Sequence, residues 1–256
     1  MQAGSPRLLV SVATYNEREN VPRLIELIHQ FAPQADILIV DDNSPDGTGR
    51  IVDDLAGKDP RVKPYHRPGK LGLGTAILAA MRYAQAQGYD LLLNMDADFS
   101  HPPRYIAALL AGMDRRDVMI GSRYVPGGGT ENWPVARQAM SRAINGLVRF
   151  LFRTGVRDAS GAYRCYRVSK LREVRLDQVI SRGYSFQQEV LYRCRLAGCR
   201  LGETPIVFEN RRAGKSKVNP REAARSILTI LYLGVRAMVG IERRRSGSPF
   251  PLREGG

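Results

Sequence analysis

With 256 residues, 43% of them hydrophobic, the chain can bury a full core without disulfide or metal staples, and a single α/β domain of this length is ordinary. Its 39 Lys and Arg against 25 Asp and Glu give a formal charge of +14, which points to anionic partners: nucleotide, phosphates, anionic lipid or nucleic acid. Three cysteines (Cys165, Cys194, Cys199) are too few and too unpatterned for a disulfide framework or a zinc site, and they read as reduced cytosolic thiols.

Arg7 to Thr14 (RLLVSVAT) is apolar and β-rich, and Tyr15-Asn16-Glu17 follows at its carboxyl end. A strand starting so near Met1 leaves no space for a signal peptide. Asn20 and Pro22 open an amphipathic helix through about Phe31. Ile37-Leu38-Ile39-Val40 is a second strand closed by paired acids, Asp41 and Asp42, before a turn and helix start over Asn43 to Thr48 (NSPDGT). Val62 to Tyr65 is a candidate third strand. Gly69 to Thr75 (GKLGLGT) lacks the Lys-Ser/Thr pair of a phosphate loop and the preceding strand of a dinucleotide fingerprint. It reads instead as a helix N-terminus approached closely by backbone or ligand, the helix running from about Thr75 to Gln87.

The stretch that follows organises the chain. Leu91-Leu92-Leu93-Asn94-Met95 has no polar face, as expected of a parallel strand buried on both sides, and it ends abruptly in Asp96-Ala97-Asp98. In open α/β sheets the ligand lies outside the carboxyl ends of the strands. Residues two apart on an extended chain point the same way, so both carboxylates can face one small volume. Two like charges placed together there are costly unless a cation joins them, and oxygen ligands with substrate phosphates suit Mg²⁺ or Mn²⁺. A solvated turn with two helix-capping acids is the blander reading, and the apolar lead-in places it second. Pro102 and Pro103 stop the strand and begin a helix to about Met113.

Val118 to Gly121 is a short strand ending at Ser122-Arg123-Tyr124, with a flexible Gly127-Gly128-Gly129 after it. From spacing alone, Arg123 fits a phosphate contact and a surface ion pair equally well. Trp133-Pro134 starts a long helix to about Phe152, and Asp158 to Arg164 is a polar turn. Phe186 enters another helix, where Glu189 is either a site acid or an exposed helical charge, and Pro205 to Phe208 is an edge-like strand. Arg211-Arg212-Ala213-Gly214-Lys215-Ser216-Lys217 places four cations around a glycine, a composition found in anion grips and in solvated loops alike.

From Asn219 the pattern is helical, with Arg225, Thr229, Tyr232 and Arg236 forming a narrow polar stripe among apolar residues. The uncharged run inside it falls far short of the roughly 20 residues that span a bilayer. An interfacial helix followed by the Arg243-Arg244-Arg245 cluster is favoured over a helix packed on the body or on a partner. The expected division is a catalytic domain over 1–218, an amphipathic membrane-interface helix over 219–243 and a disordered tail over 244–256.

The ordered set TYNE (14–17), DDNSPDGT (41–48), GKLGLGT (69–75), DADFSHP (96–102), GSRY (121–124) and GKSK (214–217) resembles the dolichol-phosphate, or polyprenol-phosphate, mannosyltransferases. These are family 2 glycosyltransferases of the GT-A fold. The resemblance implies an α/β architecture, a GT-A (Rossmann-like), mostly parallel sheet with helices on both faces plus the C-terminal amphipathic helix. It implies that Thr14, Tyr15, Glu17, Val40 and Asp42 hold the guanosine side of GDP-mannose, and that Asp96, Ala97 and Asp98 contact donor and metal. Asp96, Asp98 and Ser100 would be the ligands of Mg²⁺ or Mn²⁺, and Arg123, Arg211 and Lys217 would grip donor phosphates. Arg123, Arg211, Ser216 and Lys217 would meet the acceptor phosphate, with Asp96, Asp98, Arg123 and Lys217 as the catalytic group. Ala13 stands where many relatives have proline, and Ser100 where some have a longer amide.

The implied reaction is inverting transfer of mannose to a polyprenyl monophosphate lipid by a peripheral enzyme on the cytoplasmic face of an anionic membrane. A lipid monophosphate is largely dianionic near neutral pH, its second pKa being about 6, so it needs delivery past repulsion and no general base. Asp158 and Glu189 are accordingly given positioning roles. UDP-glucose-dependent glucosyl transfer to the same kind of lipid is the second reading. A basic nucleic-acid-binding protein would explain the charge but not the strand-end acids, and no binding module of that kind is present, so nucleic acid is not an expected partner.

Overall fold

In a computed structural model, residues 6–181, 183–209 and 220–239 are described. Seven strands form one sheet in the order β3-β2-β1-β4-β7-β5-β8. β1 (Leu8–Thr14), α1 (Val21–Phe31), β2 (Asp36–Asp41), α2 (Thr48–Ala56) and β3 (Val62–His66) wind outward in one direction. The chain then returns through α3 (Leu73–Ala86) to β4 (Leu91–Asp96) on the other side of β1. The strand order therefore reverses between β1 and β4, where Ala13 pairs with Asp96. A crevice opens outside the carboxyl ends at such a switch point.

Both faces of the sheet are covered, which is why the strands read as unbroken apolar runs. Val10, Val12, Leu91 and Leu93 pack with α1 and with Ile106 and Leu109 of α4 (Ile106–Gly112). Their alternates Leu9 and Leu92 pack on the opposite face with Ala76, Ile77, Ala80 and Met81 of α3. The helix expected from Pro103 begins as a 3₁₀ turn, Pro103–Tyr105, and continues as α4.

Three elements differ from the sequence reading. The polar turn ends in a strand, β7 (Arg164–Arg167), inserted antiparallel between β4 and β5 (Val118–Ser122). It looks like a loop in sequence because Arg164 is charged. That side chain is fully buried, its guanidinium donating to the carbonyls of Gln187 and Ala159 at 2.8 and 2.7 Å. The edge strand lies earlier, as β8 (Leu201–Pro205) parallel to β5, and leaves Val207–Phe208 (β9) to pair with Gly129–Thr130 (β6). The glycine run is consequently an ordered turn rather than a flexible one. A Cβ on Gly128 would stand 2.4 Å from the Ser122 carbonyl oxygen, so only glycine fits there.

α5 (Val135–Phe152) follows Trp133-Pro134 as expected, and α7 (Phe186–Leu196) begins at Phe186. α8 (Pro220–Met238) is the C-terminal helix. It is at once packed and exposed: Ile230 and Leu233 are buried in the core cluster with Leu151 of α5, while Leu228, Leu231, Val235 and Met238 are exposed. Among the described residues, no helix is long and apolar enough to cross a membrane. The basic segment 211–217, the Arg243–Arg245 cluster and the tail over 244–256 lie outside the described residues.

Candidate active site

At the end of β1, Thr14 is buried and its hydroxyl donates to Asp41 Oδ1 at 2.9 Å. Asp41 also accepts from the Ser44 amide at 2.9 Å and the Ser44 hydroxyl at 2.5 Å. Asn16 takes a left-handed φ of 61° and its N–H donates to Ser44 Oγ, while the Glu17 N–H donates to Thr48 Oγ1, each at 3.0 Å. These bonds hold the loop after β1 against the turn after β2. Tyr15 meets the Lys70 ammonium, 3.9 Å above its ring, at the rim of the same crevice.

Asp42 is placed as an anchor. Arg67 Nη1 lies 2.6 Å from Asp42 Oδ1, and the amides of Leu71 and Gly72 donate to Oδ2 at 3.1 and 3.2 Å. The carboxylate therefore fixes the start of α3, where Gly72 has φ 95°. The close approach expected for the glycine-rich stretch is made by Asp42 itself. Val40, Ala13 and Asp96 line a narrow cleft with Leu73 and Ala76 of α3, directly at the switch point.

The DADFSHP loop turns on Phe99, a buried aromatic at φ 63°, a conformation costly for a bulky residue and maintained only by its surroundings. The turn brings Ser100 back onto Asp98: its N–H donates to Oδ1 at 3.1 Å and its hydroxyl donates to the same oxygen. Ser100 is fully buried against Asp98, so its hydroxyl and amide orient that carboxylate. The turn also carries His101 beneath Asp96, where Nδ1 accepts the Asp96 N–H at 3.0 Å. Burial lowers the His101 pKa, outweighing the opposing pull of Asp96 and Asp98, so the ring is neutral and suited to that acceptor role. His101 stacks on Tyr163, with ring centroids 5.0 Å apart, and Tyr163 Oη donates to the Pro102 carbonyl at 3.2 Å.

Two carboxylates at one strand end offer only hard oxygen donors, and the Asp96 side chain keeps 27% exposure toward the crevice. That donor set fits Mg²⁺ or Mn²⁺ completed by substrate phosphates, and Asp96 and Asp98 are the residues that would hold it.

At the end of β5, Arg123 is buried and tied to Asp158. Its backbone N–H, Nε and Nη2 donate to the Asp158 carboxylate at 3.0, 2.7 and 2.7 Å, and Nη2 also reaches Ser160 Oγ at 2.8 Å. Burial alone would raise the Asp158 pKa, but the Arg123 hydrogen bonds and charge outweigh it and hold the carboxyl below its ordinary value. Arg123 is thus an ion pair, in the interior rather than at the surface, and its guanidinium carbon lies 5.3 Å from the Trp133 ring centre. Arg137 covers the same indole at 3.7 Å.

Glu189, left open as site acid or exposed charge, is neither. It is fully buried on α7, paired with Arg193 at 2.6 Å, and accepts the Ile180 and Ser181 amides. It pins a loop. Arg211, Ser216 and Lys217 lie outside the described residues. The chain leading to them does reach the site, because the Glu209 N–H donates to the Ser100 carbonyl at 3.2 Å.

A mostly parallel sheet with a switch-point crevice bordered by a strand-end carboxylate is the GT-A type of fold, shared with a solved glycosyltransferase. The family model described as glycosyl transferase family 2 matches residues 9–175, and the chain belongs to that family. It is 43% identical over 232 residues to the polyprenol monophosphomannose synthase of Mycolicibacterium smegmatis, covering 90% of this chain and 88% of that one. It is 39% identical over 231 residues to the undecaprenyl-phosphate mannosyltransferase of Micrococcus luteus, covering 90% and 95%. Among solved structures, glucosyl-3-phosphoglycerate synthase of Mycobacterium tuberculosis, in complex with Mn²⁺, UDP and glucosyl-3-phosphoglycerate, matches with a TM-score of 0.63 over 91% of this chain and 81% of that chain. At 16% identity that likeness establishes the fold alone.

Proposed function

We propose that this glycosyltransferase transfers mannose from GDP-mannose to a polyprenyl monophosphate, inverting the anomeric centre to give the β-linked lipid phosphate and GDP. The observation that carries the reading is Asp96 at the β1/β4 switch point, with Asp98 two residues on, in a chain whose relatives, similar over nine-tenths of its length, are polyprenyl-phosphate mannosyl enzymes. Tyr15, Glu17, Val40 and Asp42 are proposed to frame the nucleotide side of the crevice, Asp42 acting through the Leu71–Gly72 backbone that it holds. A divalent ion held by Asp96 and Asp98 would neutralise the departing diphosphate.

Arg123 is presented to the acceptor phosphate by Asp158, which grips the Nε/Nη2 edge and fixes the plane of the guanidinium. Glu209, the last described residue before that basic segment, donates its N–H to the Ser100 carbonyl at 3.2 Å. Arg211, Ser216 and Lys217 are proposed to close on the donor and acceptor phosphates there. The exposed apolar side chains of α8 support docking on a membrane surface, which a lipid acceptor requires.

The test is radiolabel transfer from GDP-mannose and from UDP-glucose to polyprenyl phosphate, with and without Mn²⁺. Product from GDP-mannose only is expected. Transfer from UDP-glucose at an equal or higher rate overturns the donor assignment. Membrane docking is tested separately by co-sedimentation of Leu231→Glu and Val235→Glu, which alter exposed positions of α8 and leave its buried face intact. Unchanged vesicle binding by both would show that another surface docks.

A further inference from the structure

Beyond Arg123, on the side away from the strand-end carboxylates, lies a second cavity, of about 310 Å³. Arg142 and Arg149 line it from α5, and Arg157 from the loop after that helix, with Asn145, Gly146 and Tyr124 completing the wall. Seven residues are close to two helical turns, so Arg142 and Arg149 project from one side of α5. Arg123 also borders the cavity, but Asp158 balances its charge. Arg142, Arg149 and Arg157 have no carboxylate partner among the described residues. The nearby acid, Glu203, turns its two oxygens to the backbone N–H groups of Arg157 and Asp158 at 2.8 and 2.9 Å.

The geometry points to this cavity as a binding site for the phosphate of an anionic phospholipid headgroup. Three guanidinium groups around one open cavity suit a phosphodiester oxyanion. A membrane source is favoured over free phosphate by what adjoins the arginines. Leu147 and Phe150 are exposed on the same helix, and α8 packs alongside with Leu228, Leu231, Val235 and Met238 exposed. Arginines at the rim of an exposed apolar surface are the pattern of an interfacial contact. The site goes beyond the sugar-transfer reading, since it requires neither the donor nor the polyprenyl chain.

Two variants separate a built site from diffuse charge. Arg142→Gln with Arg149→Gln removes the charge. Gly146→Leu keeps every charge and fills the space, because a Cβ at Gly146 meets nothing within 4 Å. Full-length protein is co-sedimented with phosphatidylcholine vesicles with and without phosphatidylglycerol, while GDP-Mn²⁺ binding is followed by calorimetry. The double variant is expected to lose about 10- to 30-fold in affinity for the phosphatidylglycerol vesicles. Gly146→Leu should weaken the same binding several-fold, with GDP binding unchanged in both. Unaltered binding by Gly146→Leu reduces the arginines to a diffuse field and overturns the site. Saturable binding of inorganic phosphate with no response to phosphatidylglycerol assigns it to free phosphate and overturns the lipid. A raised KM for detergent-dispersed polyprenyl phosphate, with vesicle binding intact, makes the cavity part of the acceptor site and overturns it equally.

Discussion

Two strands of this sheet end in the same way and do opposite work. β2 closes on Asp41 and Asp42, and β4 closes on Asp96 with Asp98 two residues later. In sequence both are apolar runs capped by two acids. In the fold the β2 pair is satisfied from within: Thr14 and Ser44 bind Asp41, while Arg67 and the Leu71 and Gly72 amides just ahead of α3 bind Asp42. At the β4 end Asp96 borders the crevice with its backbone supported by a neutral histidine, and Asp98 is buried behind it and oriented by Ser100. A carboxylate whose counter-charge comes from the chain is architecture. Hydroxyl, amide and imidazole groups instead orient the carboxylates that we propose hold a cation arriving with the substrate.

The sharpest way to break this contrast is Asp98→Asn. Loss of one metal-facing carboxylate should lower turnover by on the order of 10³ and abolish Mn²⁺-dependent GDP binding, without lowering the unfolding midpoint. Calorimetry that finds GDP-Mn²⁺ bound as tightly as in the wild type removes Asp98 from the metal site. Asp42→Asn should do the reverse. It leaves Arg67 buried without its charge partner, which costs about 3–5 kcal/mol, and the loss appears in urea unfolding. If Asp42→Asn folds normally and fails only to bind GDP, Asp42 is a direct donor contact and the two pairs are alike.

A subtler change sharpens the β4 side. Ser100→Ala removes the hydroxyl that orients Asp98 and keeps both carboxylates. Metal affinity should fall about 10- to 100-fold, as for other groups that position a ligand, with kcat at saturating Mn²⁺ largely restored. If saturating metal restores nothing, the hydroxyl is itself a ligand.

Much of this was legible in the sequence, and what was not has a physical reason. β1, β2 and β4 are buried on both faces, so their apolar runs and terminal acids identify the switch-point edge directly. β7 escaped because Arg164 is charged, and its burial depends on carbonyls supplied by Ala159 and by α7. β8 escaped because LGETP contains glycine, an acid and proline, and its partner β5 is far away in sequence. The same distance problem governs the site. Nothing local to Asp42 announces Arg67, and nothing local to Arg123 announces Asp158, 35 residues on. His101 stood inside the quoted motif, yet its role follows only from the left-handed turn at Phe99 that carries it under Asp96.

The smallest effect concerns a third acid of the internally balanced kind, Asp158, and it appears in the pH dependence of stability. Its carboxyl lies below the ordinary value of 3.8 because the Arg123 interactions outweigh the cost of burial. A carboxyl with a depressed folded pKa binds fewer protons folded than unfolded. Its contribution is therefore fully present above about pH 4 and is lost as pH falls through the folded pKa. Arg123 stays charged throughout, so the loss belongs to the carboxylate alone. Chemical denaturation across acid pH should show wild-type stability declining below about pH 4, with a shallower decline in Asp158→Asn, and parallel curves between about pH 5 and 8. Asp158→Asn has a lower plateau, since the amide cannot balance Arg123, so the comparison rests on slope rather than on height. Equal slopes in acid would mean that Asp158 is not held as an anion by Arg123. The guanidinium would then lack the grip that fixes its plane, and the β5 end would not belong with β2.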